Sequence, residues 1–327
     1  MFDQKTAARW LCAAVLGLTV ASTASASEKF PTKPISMVVP FPPGGVADIV
    51  ARAIAPGLER EFNQTVVIMN KPGAGGALGS GIVATAKPDG YTVLMALASI
   101  STNPEQERLN QRPSSFQLNQ LTPIARISME EMMLAVRADS PYRTVKDLVT
   151  DAKKRPGAVS YASSGVYGVY HVATDMFTHA AGIKMNHIPY NGGSPALMAL
   201  LSGEVDVALV TRSVGAAHLQ SGKLRPLAAW GAQKWADYPN VPTIKQEGFD
   251  VDYQLWSGLF APAATPPEIM NVLRKAVGIA AKDDKFKSTM AQQGVVIAYM
   301  DAPVFKQYWD KDAARLIEAI QKIGISQ

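Results

Sequence analysis

Residues 39–48 constrain the fold more than any other part of this 327-residue chain. An apolar, β-branched run ends at Phe41, a Pro-Pro-Gly-Gly turn follows, and a helical pattern begins at once at Val46. A helix that starts directly after a glycine turn leaves its first backbone N–H groups without intrahelical partners. Because the helix dipole adds partial positive charge there, the stretch predicts a strand–turn–helix unit with an anion site at the turn.

A second turn of the same kind lies far along the chain. The residues Ser163-Ser-Gly-Val-Tyr-Gly168 follow a short apolar strand and precede a helical pattern over residues 169–181. Serine hydroxyls and a glycine backbone in such a turn either cap the helix or let an anion approach the backbone closely. Two such turns predict one anion that is held from two sides, which is the geometry of a receptor.

Residues 1–26 have the composition of a secretory signal peptide. A positively charged start precedes an apolar run at 10–20, which is too short to span a membrane, and Ala24-Ser25-Ala26 supplies small residues for cleavage. We therefore expect export to the periplasm, with an uncleaved N-terminal anchor as the alternative. Cys12 is the only cysteine, so the mature chain is expected to contain no disulfide.

The composition argues against several classes of function. Hydrophobic residues make up 47% of the chain and charged residues 18%, which is usual for a globular protein. The net charge of +5 is mild, and we find no Lys/Arg-rich run, so nucleic acid is not expected as a partner. The four histidines show no metal-ligand spacing, and we expect neither a metal nor a cofactor.

Strand and helix patterns alternate along the chain, which is typical of an α/β fold with parallel sheets. The predicted strands are 35–41, 65–70, 92–97, 159–162, 186–189, 205–210, 224–230 and 295–298. The predicted helices are 46–62, 77–87, 144–154, 169–181, 194–202, 265–281, 284–293 and 302–322.

Two longer extended runs, 124–138 and 253–262, lie where two α/β units meet and are predicted to cross between them. Two crossings between domains make a hinge. The domains expected from this division are residues 27–131 together with 253–327, and residues 132–252.

Several side chains near the two turns are candidates for ligand contact, each with a structural alternative. Asp48 lies in the first helical turn, where it either only caps free N–H groups or also reaches a ligand hydroxyl, amine or water. Tyr167 and Tyr170 either form a wall for a flat ligand or pack against the helix. His171 is expected to be a packed, hydrogen-bonded histidine, with ligand contact as the alternative.

Two motifs resemble enzyme signatures but lack essential parts. Gly73-Ala-Gly-Gly-Ala-Leu-Gly79 precedes a helix as a dinucleotide-binding turn does, yet its sixth position is Leu78 rather than glycine. No G-x-S-x-G elbow is present, and His171 is the one base that we expect near Ser163 and Ser164. A hydrolase that uses Ser163 or Ser164 is therefore the alternative to a receptor, and a ligand sensor for a membrane kinase is a third class.

Short motifs follow one another in a recognisable order across almost the whole mature chain. They are Val39-Pro-Phe-Pro-Pro-Gly-Gly-Val-Ala-Asp48, Asn70-Lys-Pro-Gly-Ala-Gly-Gly76, Lys87-Pro-Asp-Gly-Tyr91, Tyr161-Ala-Ser-Ser-Gly165, Pro189-Tyr-Asn-Gly-Gly193, Gly203-Glu-Val-Asp206, Gly222-Lys-Leu-Arg225 and Gly258-Leu-Phe-Ala-Pro262. In order and spacing the chain resembles the solute receptors of tripartite tricarboxylate transporters, the Bug family.

The resemblance implies an α/β, two-domain periplasmic binding fold of the type II-like, Venus-flytrap kind, with the two crossover strands as its hinge. It also implies a non-catalytic, monomeric receptor that takes a small carboxylate into the interdomain cleft and delivers it to an integral membrane permease. The resemblance implies that the ligand contacts the two glycine turns and Thr211. The ligand residues expected from the resemblance together with the residue-by-residue reading are Phe41, Gly44, Gly45, Ala47, Asp48, Ser99, Ser163, Ser164, Gly165, Tyr167, Gly168, His171, Thr211 and Arg212.

Some positions depart from the common pattern of that family and bear on the ligand. Tyr167 and Tyr170 stand at positions that are commonly small or polar, and Arg212 stands where an uncharged residue is more common. These departures favour a flat apolar ligand whose second carboxylate reaches Arg212, as in an aromatic dicarboxylate such as a phthalate. An aliphatic di- or tricarboxylate and an amino acid are the alternatives, and for Arg212 the alternative is a solvated charge at a helix start.

Overall fold

Two mixed β-sheets and the helices between their strands make up the computed structural model, which describes residues 29–231 and 233–324. The strands are β1 (Ile35–Val39), β2 (Val66–Asn70), β3 (Thr92–Leu97), β4 (Leu121–Glu130), β5 (Met132–Arg137), β6 (Ser160–Ser163), β7 (Asn186–Pro189), β8 (Val207–Thr211), β9 (Leu224–Ala229), β10 (Leu255–Pro262) and β11 (Val296–Asp301). The helices are α1 (Val46–Phe62), α2 (Ala77–Ala84), α3 (Asn103–Leu109), α4 (Val145–Lys154), α5 (Val169–Ala181), α6 (Gly193–Ser202), α7 (Arg212–Gln220), α8 (Pro267–Ala280), α9 (Asp284–Gln292) and α10 (Ala302–Ile323). The predicted signal peptide lies outside the described residues.

The first sheet has six strands in the order β11-β4-β10-β3-β1-β2. β1 runs parallel to β2 and β3, whereas β10 runs antiparallel to both β3 and β4. Every residue of β10 is buried, which fits its nearly continuous apolar sequence and its place between two strands. The expectation of parallel sheets therefore holds only in part, because β10 enters this sheet from the other one and runs in the opposite direction.

The second sheet has five strands in the order β7-β6-β8-β5-β9. β6 runs parallel to β7 and β8, and β5 runs antiparallel to β8 and β9. The carboxyl ends of β6, β7 and β8 therefore point to the same edge of the sheet, and α5, α6 and α7 each begin there. This edge is where ligands bind in open α/β sheets.

The chain crosses between the sheets twice. β4 continues into β5 through Glu131, and β9 returns to β10 through residues 230–254. We call the part that carries β1–β4, β10 and β11 the six-stranded unit, and the part that carries β5–β9 the five-stranded unit. The first crossing lies inside the predicted extended run 124–138. The second crossing precedes the predicted run 253–262, which forms β10 within the six-stranded sheet. The domain boundaries themselves stay a prediction.

Three helices differ from the sequence prediction: α3 and α7 are absent from the predicted helices, and α2 is shorter than predicted. α3 was not predicted, because its sequence Asn-Pro-Glu-Gln-Glu-Arg-Leu has almost no apolar periodicity. α2 ends at Ala84, three residues earlier than the predicted helix 77–87. Over residues 29–231 and 233–324, we find no helix with the length and apolar character needed to cross a membrane.

Candidate ligand-binding site

A cavity lies between the two units, at the carboxyl ends of strands from both sheets. The six-stranded unit lines it with Phe41, Pro42, Pro43, Gly45, Val46, Leu97 and Leu255. The five-stranded unit lines it with Ser164, Val169, Tyr170, Gly192, Gly193, Ser194, Pro195 and Val214. The lining is mainly apolar, and none of these side chains carries a charge.

Three helix N-termini meet at this cavity. α1, α5 and α6 have Gly45, Gly168 and Gly192 at their N-caps, and glycine has no side chain with which to cap the first N–H groups. First-turn residues of all three helices line the cavity. First-turn N–H groups and three helix dipoles therefore supply the positive potential that an anion needs, although no cationic side chain lines the cavity. Not every first-turn residue offers a free donor, because the N–H of Tyr170 donates a long bond, 3.5 Å, to Ser164 Oγ and Pro195 has no N–H.

Asp48 holds the first glycine turn in shape. Its carboxylate accepts the N–H of Gly44 at 2.9 Å and is bonded by Arg52 Nε at 2.9 Å and by Asn70 Nδ2 at 2.9 Å. Gly44 has a φ of 78°, in the left-handed region that favours glycine. Burial opposes ionisation of Asp48, but the bonds from Arg52, Gly44 and Asn70 lower its pKa. Asp48 therefore fixes the turn before α1 and caps none of the N–H groups of the first helical turn, which differs from the capping role expected of it. Its contact with a ligand stays a prediction.

Ser163, in the second turn, is fully buried and has a neighbour that sequence reasoning missed. Its hydroxyl lies 2.6 Å from His187 Nε2 and 3.0 Å from the carbonyl oxygen of Gly165. We expected His171 to be the base near this serine, but the parallel pairing of β6 with β7 places His187 there. Because the hydroxyl does not line the cavity, the pair stabilises the turn and does not present a nucleophile to a ligand.

His171 is packed and hydrogen-bonded, which is the arrangement expected for it. Its Nδ1 accepts the N–H of Tyr167 at 2.7 Å, and its Nε2 lies 3.2 Å from Asp175 Oδ2. The ring stacks on His187 with centroids 3.8 Å apart. Burial lowers the pKa of His171 to about 4, and burial together with His171 lowers the pKa of His187 to about 3. Both rings are therefore neutral near pH 7.

Tyr170 and Tyr167 have different surroundings. Tyr170 lines the cavity, and its hydroxyl donates to Thr211 Oγ1 at 3.4 Å. Tyr167 has a φ of 59°, which is unusual for a bulky residue. Its carbonyl oxygen accepts Gln106 Nε2 at 3.1 Å, and its hydroxyl accepts Asn110 Nδ2 at 2.7 Å. Since Gln106 and Asn110 belong to the six-stranded unit, Tyr167 joins the two units rather than forming a wall of the cavity.

The first glycine turn also meets the five-stranded unit directly. Ser194 Oγ donates to the carbonyl oxygen of Gly44 at 3.0 Å. A Cβ placed on Gly165, whose φ is 121°, would lie 3.4 Å from the backbone of Gly75. Each glycine turn therefore contacts the opposite unit across the cleft, and residues of both turns line the same cavity.

The predicted ligand residues divide between the cavity and the structure around it. Phe41, Gly45 and Ser164 line the cavity, and Gly165 lines a second cavity on the other side of Phe41. Gly44 and Gly168 belong to the two turns, whereas Ala47, Ser99, Ser163, His171 and Thr211 are buried and line neither cavity.

Arg212 does not line the cavity either. Its guanidinium pairs with Asp237, so it is not the free cation that the sequence suggested for a second carboxylate. Asp237 lies in the crossing segment between β9 and β10, and no sequence pattern links it to α7. The two residues come together only through the tertiary fold.

The start of α6 is the part of the cavity that sequence reasoning missed. Gly192, Gly193 and Ser194 line it, although none was predicted to contact a ligand. The signal was present, because Asn191-Gly-Gly193 precedes a helix just as Pro43-Gly-Gly45 does. Within the described residues no group of histidines, cysteines and acids is arranged to hold a metal ion.

Comparison with known proteins agrees with this architecture. Residues 50–325 match the family described as tripartite tricarboxylate transporter family receptor. The chain is 31% identical over 314 residues to the UPF0065 protein in the gbd 5′ region of Cupriavidus necator, covering 96% of this chain and 94% of that protein. These matches confirm the resemblance inferred from the motifs.

Two solved structures are similar over the same length. The periplasmic binding protein BugD has a TM-score of 0.82 and 29% identity, covering 90% of this chain and 98% of that one. Rpa4515 of R. palustris with adipate also has a TM-score of 0.82, with 27% identity over 91% of this chain and 99% of that one. The family is one of binding proteins rather than enzymes. The chain therefore belongs to the receptor family of tripartite tricarboxylate transporters.

Proposed function

We propose that this chain is a periplasmic receptor that captures a small carboxylate between its two units and delivers it to a membrane permease. The observation that carries the proposal is the convergence of three glycine-capped helix N-termini on one cavity. A carboxylate at that point accepts several charge-assisted hydrogen bonds, each worth about 1.5–3 kcal/mol. Three or four of them offset the cost of several kcal/mol for taking one charge out of water.

The rest of the cavity suits an apolar body. Phe41, Leu97, Val169 and Leu255 supply aliphatic and aromatic surface, and Tyr170 adds a ring. An aromatic acid or a short aliphatic acid fits such walls, because its body loses contact with water when the units close. The adipate found with Rpa4515 supports a carboxylate as the ligand class.

A binding screen with matched neutral compounds tests this function. We expect benzoate or hexanoate to raise the melting temperature and to give a calorimetric binding isotherm, because the helix N-termini stabilise the anion. Benzamide and hexanamide have the same bodies without the charge, and we expect them to bind at least about 100-fold more weakly, the equivalent of about 3 kcal/mol.

The ligand recovered after incubation should be chemically unchanged. Turnover of the compound, or equal binding of the acids and their amides, would refute a receptor that recognises a carboxylate. Export to the periplasm is tested separately by fractionating cells that express the full chain.

A further inference from the structure

A fourth helix N-terminus adjoins the cavity, and a carboxyl group of the chain itself occupies it. α7 begins at Arg212, and Val214 in its first turn lines the cavity. The N–H of Ser213 donates a long hydrogen bond, 3.4 Å, to Glu130 Oε2. Glu130 is the last residue of β4, so its side chain reaches α7 from the six-stranded unit, next to the first crossing.

Few interactions offset the cost of burying the Glu130 carboxyl group. The residue is 4% exposed, and its Oε1 has no hydrogen-bond partner among the described residues. Burial raises the pKa of Glu130 to about 7, and the bond from Ser213 and the charge of Arg212 only partly oppose that effect. A buried acid with an unpartnered oxygen is costly, which suggests a role beyond folding.

The nearest cation is not free to receive a second ligand carboxylate. Arg212, on the same helix, pairs with Asp237. Its neighbour Ser213 already gives its N–H to Glu130. Glu130 does not line the cavity, but its charge reaches the lining, where it helps to raise the pKa of Tyr170. A second anionic group of a ligand at this end of the cavity would therefore be repelled by the charge of Glu130 instead of meeting a positive charge.

We propose that this receptor selects a carboxylate with one negative charge and an apolar body, and that Glu130 excludes a second carboxylate from the start of α7. This inference rests on the function proposed above. It departs from the aromatic dicarboxylate expected from the sequence, because Arg212 was expected to be free. Tyr170 connects the two regions, since it lines the cavity and its hydroxyl bonds to Thr211, the N-cap of α7.

The test compares acids that share a ring or a six-carbon chain and carry one or two carboxylates, by calorimetry at pH 8, where Glu130 is mostly ionised. We expect benzoate to bind more tightly than terephthalate, and hexanoate more tightly than adipate. Two carboxylates about 6 Å apart at an effective dielectric constant of about 20 repel enough to change affinity about 100-fold. We therefore expect a preference of at least about tenfold for each monocarboxylate.

The variant Glu130→Gln removes the charge and keeps an acceptor for Ser213. We expect the affinity ratio of dicarboxylate to monocarboxylate to rise by about tenfold or more, because the repulsion is lost. Glu131→Gln is the matched control, since it removes the same charge from the neighbouring residue without the bond to α7. Because the Glu131 charge helps to raise the pKa of Glu130, the two variants are compared at pH 8. If both variants change the ratio equally, the effect is general electrostatics and the role of Glu130 is refuted.

The wild-type protein gives a second measurement that does not depend on the variant folding. Between pH 8 and pH 6 Glu130 becomes largely protonated, so the preference for a monocarboxylate should decrease. Tighter binding of dicarboxylates at pH 8 would overturn the inference while leaving the receptor function intact. If that binding were lost in Arg112→Gln, the second carboxylate would lie in the second cavity, which Arg112 lines. Failure of every carboxylate to bind would overturn both.

Discussion

The substitution Ser194→Asp should weaken ligand binding without lowering the stability of the fold. Ser194 is the second residue of α6, after Gly192 at the N-cap, and its side chain lines the cavity. A carboxylate in the first turn of a helix is stabilising by about 0.3–1 kcal/mol, because it complements the dipole. The same carboxylate would occupy the N–H groups and the positive potential that the ligand needs. We expect the melting temperature to stay the same or rise while the ligand affinity falls.

The size of the loss follows from two contributions. Two carboxylates about 5 Å apart at an effective dielectric constant of about 20 repel by about 3 kcal/mol. The 3.0 Å hydrogen bond from Ser194 Oγ to the Gly44 carbonyl oxygen joins the two units. Its loss makes the free energy of closure less favourable by about 1 kcal/mol. The sum of about 4 kcal/mol corresponds to about a 1000-fold weaker affinity.

The neutral variant Ser194→Asn is the matched control, because it has the size of aspartate and also lacks the hydroxyl. We expect it to bind about 5- to 10-fold more weakly than the wild type, since only the bond to Gly44 is lost. Affinities come from calorimetry with the tightest acid of the screen, and stabilities from thermal unfolding. Equal affinities of the Asp and Asn variants would refute the claim that the start of α6 contacts the ligand's charge.

Three further changes test other parts of the site. Gly193→Ala should weaken binding of bulky acids more than of small ones, measured by calorimetry, because its Cβ would lie 3.0 Å from the Tyr170 hydroxyl. Tyr167→Phe should weaken ligand binding about fivefold, because it removes the 2.7 Å hydrogen bond from Asn110 that joins the two units when they meet. The melting temperature of the open, ligand-free form should not fall. The pKa of His171 is lowered to about 4 from 6.5, so the unfolded chain binds the proton more readily between those values. Urea unfolding should therefore show the wild type losing stability relative to His171→Asn as the pH falls from 6.5 towards 4, by at most about 1.4 kcal/mol per pH unit, and a constant difference would contradict this.

Local patterns predicted most of the fold and both glycine turns. The strand, the Gly-Gly turn and the helix at residues 39–48 are contiguous, so the end of each element predicts where the next one begins. The same holds for the turn at residues 163–168. The antiparallel entry of β10 was not predictable from periodicity, because an apolar run has the same pattern in either direction.

The parts of the site that sequence reasoning missed depend on contacts between distant residues. His187 meets Ser163 only because β7 pairs with β6 in a particular register. Asp237 meets Arg212 through the return crossing, and Glu130 meets Ser213 through the first crossing. Asn191-Gly-Gly193 is different, because its resemblance to the first turn is visible in the sequence alone.

The three helix N-termini come from both units, so a ligand's charge is fully bound only when the two units close on it. α1 belongs to the six-stranded unit, whereas α5 and α6 belong to the five-stranded unit, so neither unit alone supplies all the donors. A carboxylate bound to one unit still lacks hydrogen bonds of about 1.5–3 kcal/mol each, and it gains them when the units meet. Bonds such as Ser194 to Gly44 join the units without a ligand but are neutral and worth less. A ligand can shift an equilibrium only by its differential affinity for the two states, and here the differential comes from its charge. An uncharged isostere should therefore leave the ratio of open to closed molecules in solution nearly unchanged, whereas the acid should decrease the radius of gyration measured by X-ray scattering.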